Sequence, residues 1–282
     1  MKLERLRQEV ENRTFRLKAL WIVTAMAAAT ILFFLLTRQM LIIWMFLIAA
    51  TGVFLIYEVY GRTSLILLEI SWKVKQLEAM MNIFHVLPLE SPLPSMTGYA
   101  VSPDFAALVL KKLQGGEIEL VVETGAGASS VVIGHYLKKK GHGRLISLEH
   151  DPFYAERARK NVADHNLEEY VEIRHAPLVS VSIGEEAYKW YDAAVWQDIS
   201  SIDLLVVDGP PVGTNQSARF PAVPLLLNHF SQNVCVLLDD AKRADEEEIA
   251  KKWESDWNMT ASQHDTEKGA VELSFRHGEG KG

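Results

Sequence analysis

The chain has one cysteine, Cys235, no long run of basic residues, and no internal repeat or low-complexity tract. A single cysteine excludes an internal disulfide and suits a reducing compartment, and its place in an apolar run predicts a buried strand position. The net charge of −7 and the lack of basic tracts argue against nucleic acid as a partner. Apolar residues make up 49% of the 282 residues, but they are unevenly spread.

Two stretches near the N-terminus, residues 19–37 and 40–57, contain no Asp, Glu, Lys or Arg. Each approaches the roughly 20 residues that a helix needs to cross about 30 Å of hydrocarbon. Because only Arg38 and Gln39 separate them, we predict a tight transmembrane hairpin within residues 19–60. The alternatives are a signal peptide, disfavoured by the paired long stretches without a clear cleavage site, and an apolar helix of a soluble bundle.

Residues 1–18, which precede the hairpin, carry more basic than acidic side chains. Positively charged flanks remain in the cytoplasm, and two crossings return the rest of the chain to the same side. We therefore expect an integral protein of a bacterial inner membrane, with the lipid bilayer as a partner through residues 19–60. Its N-terminus and its large C-terminal domain are expected in the cytoplasm. The basic residues of this segment are Lys2, Arg5, Arg7, Arg13, Arg16 and Lys18.

For residues 61–101, the helical spacing of apolar residues predicts an amphipathic helix over 61–87. A linker follows, in which Pro88, Pro92 and Pro94 break any helix. Three roles for the helix stay open: lying on the membrane surface, covering the next domain, or a self-association stalk that makes the chain a homo-oligomer. The apolar residues at helical spacing are Leu65, Leu68, Trp72, Leu77, Met80 and Phe84.

From residue 102 to residue 277, strand-like and helix-like segments alternate, and residues 278–282 form a tail. The alternation predicts a Rossmann-like, doubly wound and mostly parallel α/β sheet of seven strands, closed by an antiparallel hairpin, with ligands at the carboxyl ends of the strands. Ser102 is expected to cap the first helix and Asp151 a later one. The predicted helices are 102–113, 129–140, 152–166, 184–198, 222–230 and 245–257; the predicted strands are 118–122, 144–148, 170–174, 202–207, 234–238, 258–264 and 270–276.

Four of these strands end in acids, at Glu123, Glu149, Asp208 and the pair Asp239–Asp240. The first acid precedes the small-residue loop Thr124–Ser130, whose glycines allow bare backbone to approach a nucleotide-like ligand. Glu149 stands at the spacing expected of a carboxylate that binds a ribose. The carboxyl ends of parallel strands share one sheet edge, so these acids indicate an enzyme cleft.

These motifs resemble those of class I S-adenosylmethionine-dependent methyltransferases, and the resemblance covers about residues 102–277. It implies that S-adenosylmethionine is the cofactor and that the glycine loop, the acid before it, and the acid and histidine that end the second strand bind it. The matching segments are Val-Val-Glu123-Thr-Gly125-Ala126-Gly127, Ile-Ser-Leu-Glu149-His150-Asp151, Asp203-Leu-Leu-Val-Val-Asp208-Gly-Pro-Pro and Leu-Leu-Asp239-Asp240.

The last two motifs are similar to those of catechol-type and macrolide-sugar O-methyltransferases. That resemblance implies a site for Mg²⁺ or another divalent cation at Asp208, Asp239 and Asp240, with Asp208 and Asp239 as catalytic residues. Direct substrate contact and a structural network are the alternatives for these acids. The lysine base of the catechol-type enzymes is missing, since Pro210 and Pro211 follow Gly209. Either the base is His229, Lys242 or a metal-bound oxygen, or the reaction needs no strong base.

An irregular loop, Gly209–Pro221, contains Arg219, which either binds an anionic substrate group or forms a solvent-facing salt bridge. The aromatic residues between Trp190 and Trp196 either line a substrate pocket or pack in the core.

The sequence thus predicts a membrane-anchored methyltransferase that acts on an oxygen of a small-molecule, sugar or lipid-linked acceptor. The alternatives are a nicotinamide-dependent oxidoreductase, disfavoured by Ser130 at the third position of the glycine fingerprint, and a non-catalytic, membrane-tethered binding protein of the same fold.

Overall fold

A computed structural model of the chain describes residues 2–33, 40–98 and 100–276. They form two compact units, Met1–Glu69 and Ile70–Gly282. The first unit contains helix α1 (Lys2–Phe33) and the beginning of helix α2 (Met40–Val86). The Arg62 guanidinium lies 4.1 Å from the centre of the Phe15 ring, so α1 and α2 lie side by side in this unit.

Two helical segments, Val10–Leu32 and Ile43–Val86, are long and apolar enough to cross a membrane, and the most apolar stretch of each contains no buried side chain. The predicted turn at Arg38–Gln39 lies outside the described residues. Residues 61–86 are helical as expected, but they belong to α2, which continues through Gly61 without a break. A glycine costs a helix only about 1 kcal/mol relative to alanine, which is too little by itself to end a long helix.

The second unit is built on a seven-stranded sheet. Its strands are β1 (Leu120–Thr124), β2 (Arg144–Glu149), β3 (Val171–His175), β6 (Ile202–Val207), β7 (Phe230–Asp239), β8 (Thr260–His264) and β9 (Ala270–Arg276). They lie in the order β3-β2-β1-β6-β7-β9-β8. The first five strands in this order are parallel, and β9 is antiparallel to both β7 and β8. This confirms the predicted Rossmann-like sheet and its terminal hairpin.

Helices cover both faces of the sheet. Successive strand residues point to opposite faces, so Val121 joins the core beneath α3, α4 and α5, whereas Val122 joins the core beneath α6 and α7. The helices are α3 (Pro103–Gly115), α4 (Ala128–Lys140), α5 (Pro152–Asp164), α6 (Ala222–Leu226) and α7 (Ala244–Asp256), with short 3₁₀ turns at Ala193–Val195 and Leu227–His229.

The predicted helix over residues 184–198 is wrong. The chain forms a separate antiparallel hairpin there, β4 (Leu178–Ile183) and β5 (Glu186–Tyr191), which turns at Gly184 with a φ of 61°. Tyr188 and Trp190 are buried while Lys189 between them is exposed, a period of two that belongs to strands. The aromatic residues that suggested a helix are also strong strand formers, and the hairpin lets them pack.

Three local predictions have different outcomes. Asp151 caps α5 as expected, because its carboxylate accepts hydrogen bonds from the backbone of Phe153 and Tyr154. Ser102 stands at the cap position of α3, but its hydroxyl donates to Asp104 instead of capping the helix. Cys235 lies in β7, where it is half-buried rather than buried.

Candidate active site

A cavity of about 780 Å³ lies at the carboxyl ends of β1, β2, β6 and β7. Its size is within the range of ligand sites, roughly 300–1,000 Å³. Most of the residues predicted to bind cofactor, metal or substrate line this cavity. They are Gly125, Ala126, Gly127, Glu149, His150, Asp208, Asp240 and Arg219.

The glycine loop approaches the end of β6 closely. Gly125 has a φ of 94°, and a Cβ there would lie 3.3 Å from the carbonyl carbon of Asp208, so a larger residue is strained and crowded. Its amide donates to the carbonyl of Leu148 at 2.8 Å, which holds the loop against β2. At Gly127 a Cβ would meet no atom within 4 Å, and α4 begins at the next residue. The loop therefore leaves open space at the positive end of a helix, a favourable place for an anion.

Glu123 lies behind this loop and is not among the residues that line the cavity. Its carboxylate is fully buried and accepts hydrogen bonds from the hydroxyls of Ser130 and Ser147 through Oε2. Burial raises the pKa of Glu123 to about 7. The structure thus gives Glu123 a bracing position between the first turn of α4 and β2, and its direct contact with a cofactor stays a prediction.

Glu149 ends β2 and is 5% exposed. Its Oε1 atom accepts a hydrogen bond from the amide of Asp151 and lies 2.9 Å from Nδ1 of His150. That hydrogen bond raises the pKa of His150. The carboxylate is therefore held rigidly at the cavity wall by its own turn, as a residue that aligns a ligand requires.

Oxygen atoms of Asp208, Asp239 and Asp240 lie within 4.8 Å of one another, so the structure gathers the three predicted metal ligands. Asp240 has a φ of 63°, an unusual conformation for a residue other than glycine. Asp208 and Asp240 line the cavity, whereas the side chain of Asp239 is fully buried behind them.

Arg219 lies inside this acid cluster. Its Nη2 atom donates to Asp240 Oδ2 at 2.7 Å and to Asp208 Oδ1 at 3.1 Å, while Nη1 donates to the backbone carbonyl of Asp239. The residue is only 3% exposed, so the solvent-facing salt bridge considered from the sequence is wrong. Arg243, which is half-exposed, also lies 2.8 Å from Asp240 Oδ2.

The cluster contains more carboxyl groups than guanidinium groups. Asp208, Asp240 and the buried Glu246 form ion pairs with Arg219 or Arg243, and the carboxyl group of Asp239 lies beside them. Both carboxylate oxygens of Asp239 and Oδ1 of Asp240 are buried without a hydrogen-bond partner among the described residues. Burial raises the pKa of Asp208 to about 6 and that of Asp239 well above its usual range. Buried, unpartnered carboxylate oxygens this close together suit a cation.

Of the aromatic residues between Trp190 and Trp196 that were considered for a pocket, Tyr191 lines the cavity, whereas the face of α5 described below was missed. Tyr191, at the end of β5, has a buried hydroxyl with no partner among the described residues, and burial raises its pKa well above 10. Only the hairpin, which was predicted as a helix, brings this residue to the cavity. Tyr154, Arg157 and Asn161 share one face of α5, and their spacing was a signal that could have identified them.

The two side chains considered as bases do not line the cavity. His229 donates from Nδ1 to the carbonyl of Ile199, and Lys242 donates to the carbonyl of Thr266 and lies over the Trp72 ring. Of the predicted pocket aromatics, Trp190 and Trp196 are buried in the core.

Residues 122–241 match the family model described as "Methyltransferase domain". Among solved structures, a methyltransferase of Podospora anserina, PaMTH1, bound to S-adenosylhomocysteine, is similar at 12% identity over 71% of this chain and 87% of that chain, with a TM-score of 0.51. An O-methyltransferase of Bacillus cereus aligns at 16% identity over 71% of this chain and 90% of that chain, with a TM-score of 0.46. A comparison with curated proteins gives no match. The second unit therefore has a methyltransferase fold.

Proposed function

We propose that this chain is an S-adenosylmethionine-dependent methyltransferase that acts on an oxygen atom. The observation that carries the proposal is the cavity at which the glycine loop, Glu149 and the acid cluster meet. The family match over residues 122–241 and the methyltransferase fold support it.

The residues present fit the cofactor. The open space at Gly127 and the N-terminus of α4 suit its amino-acid end, and the carboxylate of Glu149 can accept from both ribose hydroxyls. Gly125 permits the close approach, and Glu123 holds the loop in place from behind. When bound, S-adenosylmethionine supplies a methyl group on a positively charged sulfur.

The acid cluster fits a divalent cation such as Mg²⁺, held by Asp208, Asp239 and Asp240. Three carboxyl groups pair with two guanidinium groups, and the unpartnered oxygens of Asp239 and Asp240 are available to a ligand. Such an ion would supply a Lewis acid that lowers the pKa of the acceptor hydroxyl. Arg219 fixes the positions of Asp208 and Asp240 at the cavity wall. Its predicted contact with an anionic substrate stays a proposal.

The two apolar helices support a membrane anchor, and the basic residues 1–18 support a cytoplasmic location of the methyltransferase domain. An enzyme held there would meet lipid-linked, sugar or other small acceptors near the bilayer. Fusions of a reporter to the C-terminus in a bacterial host test this orientation. A reporter active only outside the inner membrane would reject it.

Calorimetry of the purified chain with S-adenosylmethionine, S-adenosylhomocysteine and NADH tests the catalytic proposal. We expect binding of the two sulfur compounds and none of NADH, which would separate a methyltransferase from an oxidoreductase. Glu149→Gln should weaken binding at least tenfold, because hydrogen bonds to a charged group contribute about 1.5–3 kcal/mol. The matched control is Glu172→Gln on the neighbouring strand β3, which is exposed and pairs with Arg174. Equal affinity of the two variants would contradict the assignment of Glu149.

Binding without methyl transfer to any membrane or cytosolic extract would favour the non-catalytic alternative. Transfer of a labelled methyl group to an extracted lipid or sugar fraction would instead identify the acceptor class.

A further inference from the structure

One face of α2 remains exposed and apolar in residues that follow the length of helix required to cross a membrane. In the second unit five apolar residues on this face are between 47% and 70% exposed. We call them the α2 seam: Ile70, Val74, Leu77, Met81 and Phe84.

The spacing within the α2 seam alternates between four and three residues. This repeat averages about 3.5 residues, the period at which two helices supercoil around each other. The same positions continue upstream in the sequence, with Thr63 as their polar member, and the repeat then exceeds the roughly three to four heptads that mark a coiled coil. The upstream positions are Val53, Ile56, Tyr60, Thr63 and Leu67.

The opposite face of the helix already has partners. In the second unit Ala79 and Ile83 are buried in the domain, and the amide side chain of Gln76 hydrogen-bonds to Asp104. In the first unit Leu55 and Glu58 are partly buried on the side where Arg62 lies over α1. In the second unit the α2 seam is therefore a face of the helix that the domain leaves uncovered.

Lipid is a poor cover for the α2 seam. The apolar segment Ile43–Val86 has 44 residues, which span about 66 Å as a helix, twice the roughly 30 Å of a hydrocarbon core. Lys73 and Glu78 flank the seam, so its apolar stripe is also narrower than the broad face of a helix that lies on a membrane surface.

We propose that the α2 seam binds the α2 seam of a second copy of this chain in a parallel, two-stranded coiled coil. In a parallel coiled coil, charged residues beside the seam of one helix pair with residues five positions further along on the other helix. Lys73 and Glu78 occupy these two positions, so the charges of the two copies are complementary on both sides of the seam. Two chains anchored in one bilayer with the same orientation would also present their helices in parallel.

Disulfide crosslinking of the full chain in membranes tests this interface. In a Cys235→Ala background, single cysteines replace Ile70, Leu77 or Met81, and copper-phenanthroline serves as the oxidant. The matched control is Leu68→Cys, because Leu68 and Leu77 are leucines of similar exposure, 58% and 64%, and only Leu77 belongs to the seam. A parallel coil in register predicts a crosslinked dimer for all three seam cysteines and at least fivefold less for Leu68→Cys.

Light scattering of the purified chain in detergent gives a second measurement. We expect a protein mass of two chains, and a mass of one chain for the double variant Leu77→Lys, Met81→Lys. The control Leu68→Lys should remain dimeric, and unchanged melting temperatures would show that the exposed substitutions leave the domain folded.

A one-chain mass for the unaltered protein, or equal crosslinking at Leu68 and Leu77, would overturn the proposal. Crosslinking of Leu77→Cys without that of Ile70→Cys and Met81→Cys would reject the parallel arrangement. None of these results depends on cofactor binding, so failure of the interface and failure of the catalytic proposal are distinguishable.

Discussion

The two units of this chain place opposite kinds of side chain in unfavourable surroundings. In the first unit large apolar residues such as Trp21 and Phe46 are about three-quarters exposed. In the second unit the carboxylates of Glu123 and Asp239 are fully buried. Exposed apolar surface in the first unit indicates that lipid or protein covers it. Buried charge in the second unit indicates a site whose electrostatics serve a ligand, because isolated burial of a carboxylate is costly.

The largest effect is expected from removing the counterion of the acid cluster. Arg219→Ala should destabilise the second unit by about 3–5 kcal/mol, since it leaves Asp208 and Asp240 buried without their main partner. Arg243→Ala, at a half-exposed residue that also contacts Asp240, should cost about 1 kcal/mol or less. Urea unfolding of both variants measures the difference. Similar losses of unfolding free energy in the two variants would contradict the prediction that the buried arginine contributes more than the half-exposed one.

Removal of divalent ions should reduce activity about 100-fold or more, because Lewis-acid catalysis contributes several kcal/mol. Methyl transfer is measured before and after exhaustive chelation, and Mg²⁺ is then added back. Asp239→Asn should reproduce the chelated rate and should no longer respond to Mg²⁺. Full activity of the chelated enzyme would leave the acids as substrate contacts or as partners of Arg219 alone.

Glu123 should make stability depend on pH. Its folded pKa of about 7 lies above its ordinary value of 4.5, so the folded state binds its proton more tightly, and the stability associated with the protonated group is lost as pH rises from about 4.5 through 7. Glu123→Gln removes this ionisation. The free energy of unfolding of the variant, relative to that of the wild type, should therefore rise by on the order of 2–3 kcal/mol between pH 5 and pH 8. Unfolding free energies at both pH values test this. If the difference in unfolding free energy between wild type and variant is the same at both pH values, Glu123 does not have a raised pKa in the folded state.

The smallest effect on stability is expected at Tyr191. Its hydroxyl has no partner among the described residues, so Tyr191→Phe should change the free energy of unfolding by no more than about 0.5 kcal/mol. Ligand binding should nevertheless weaken several-fold if the hydroxyl serves the cavity that it lines. Tyr188→Phe, whose hydroxyl bonds to Glu186 outside the cavity wall, is the control. A variant that binds cofactor and acceptor normally would assign Tyr191 to packing.

Periodicity and strand-end acids were enough to predict the parallel sheet, because buried parallel strands are short apolar runs and their helices repeat between them. The hairpin of β4 and β5 was missed because its aromatic residues suit either a packed helix or a strand. The burial of Arg219 had no local signal, since its two acidic partners come from different strand ends.

The amino-acid sequence by itself determined the strands and helices of the main sheet, the apolar character of α1 and α2, and the acid at the end of each of four strands. These properties depend on neighbouring residues along the chain. Tertiary structure alone decided that Glu123 lies behind the glycine loop, that Arg219 neutralises two of the acids, that Tyr191 reaches the cavity, and that one face of α2 is left uncovered. Each of these depends on distances between residues far apart in the chain, which only the packing of the elements sets.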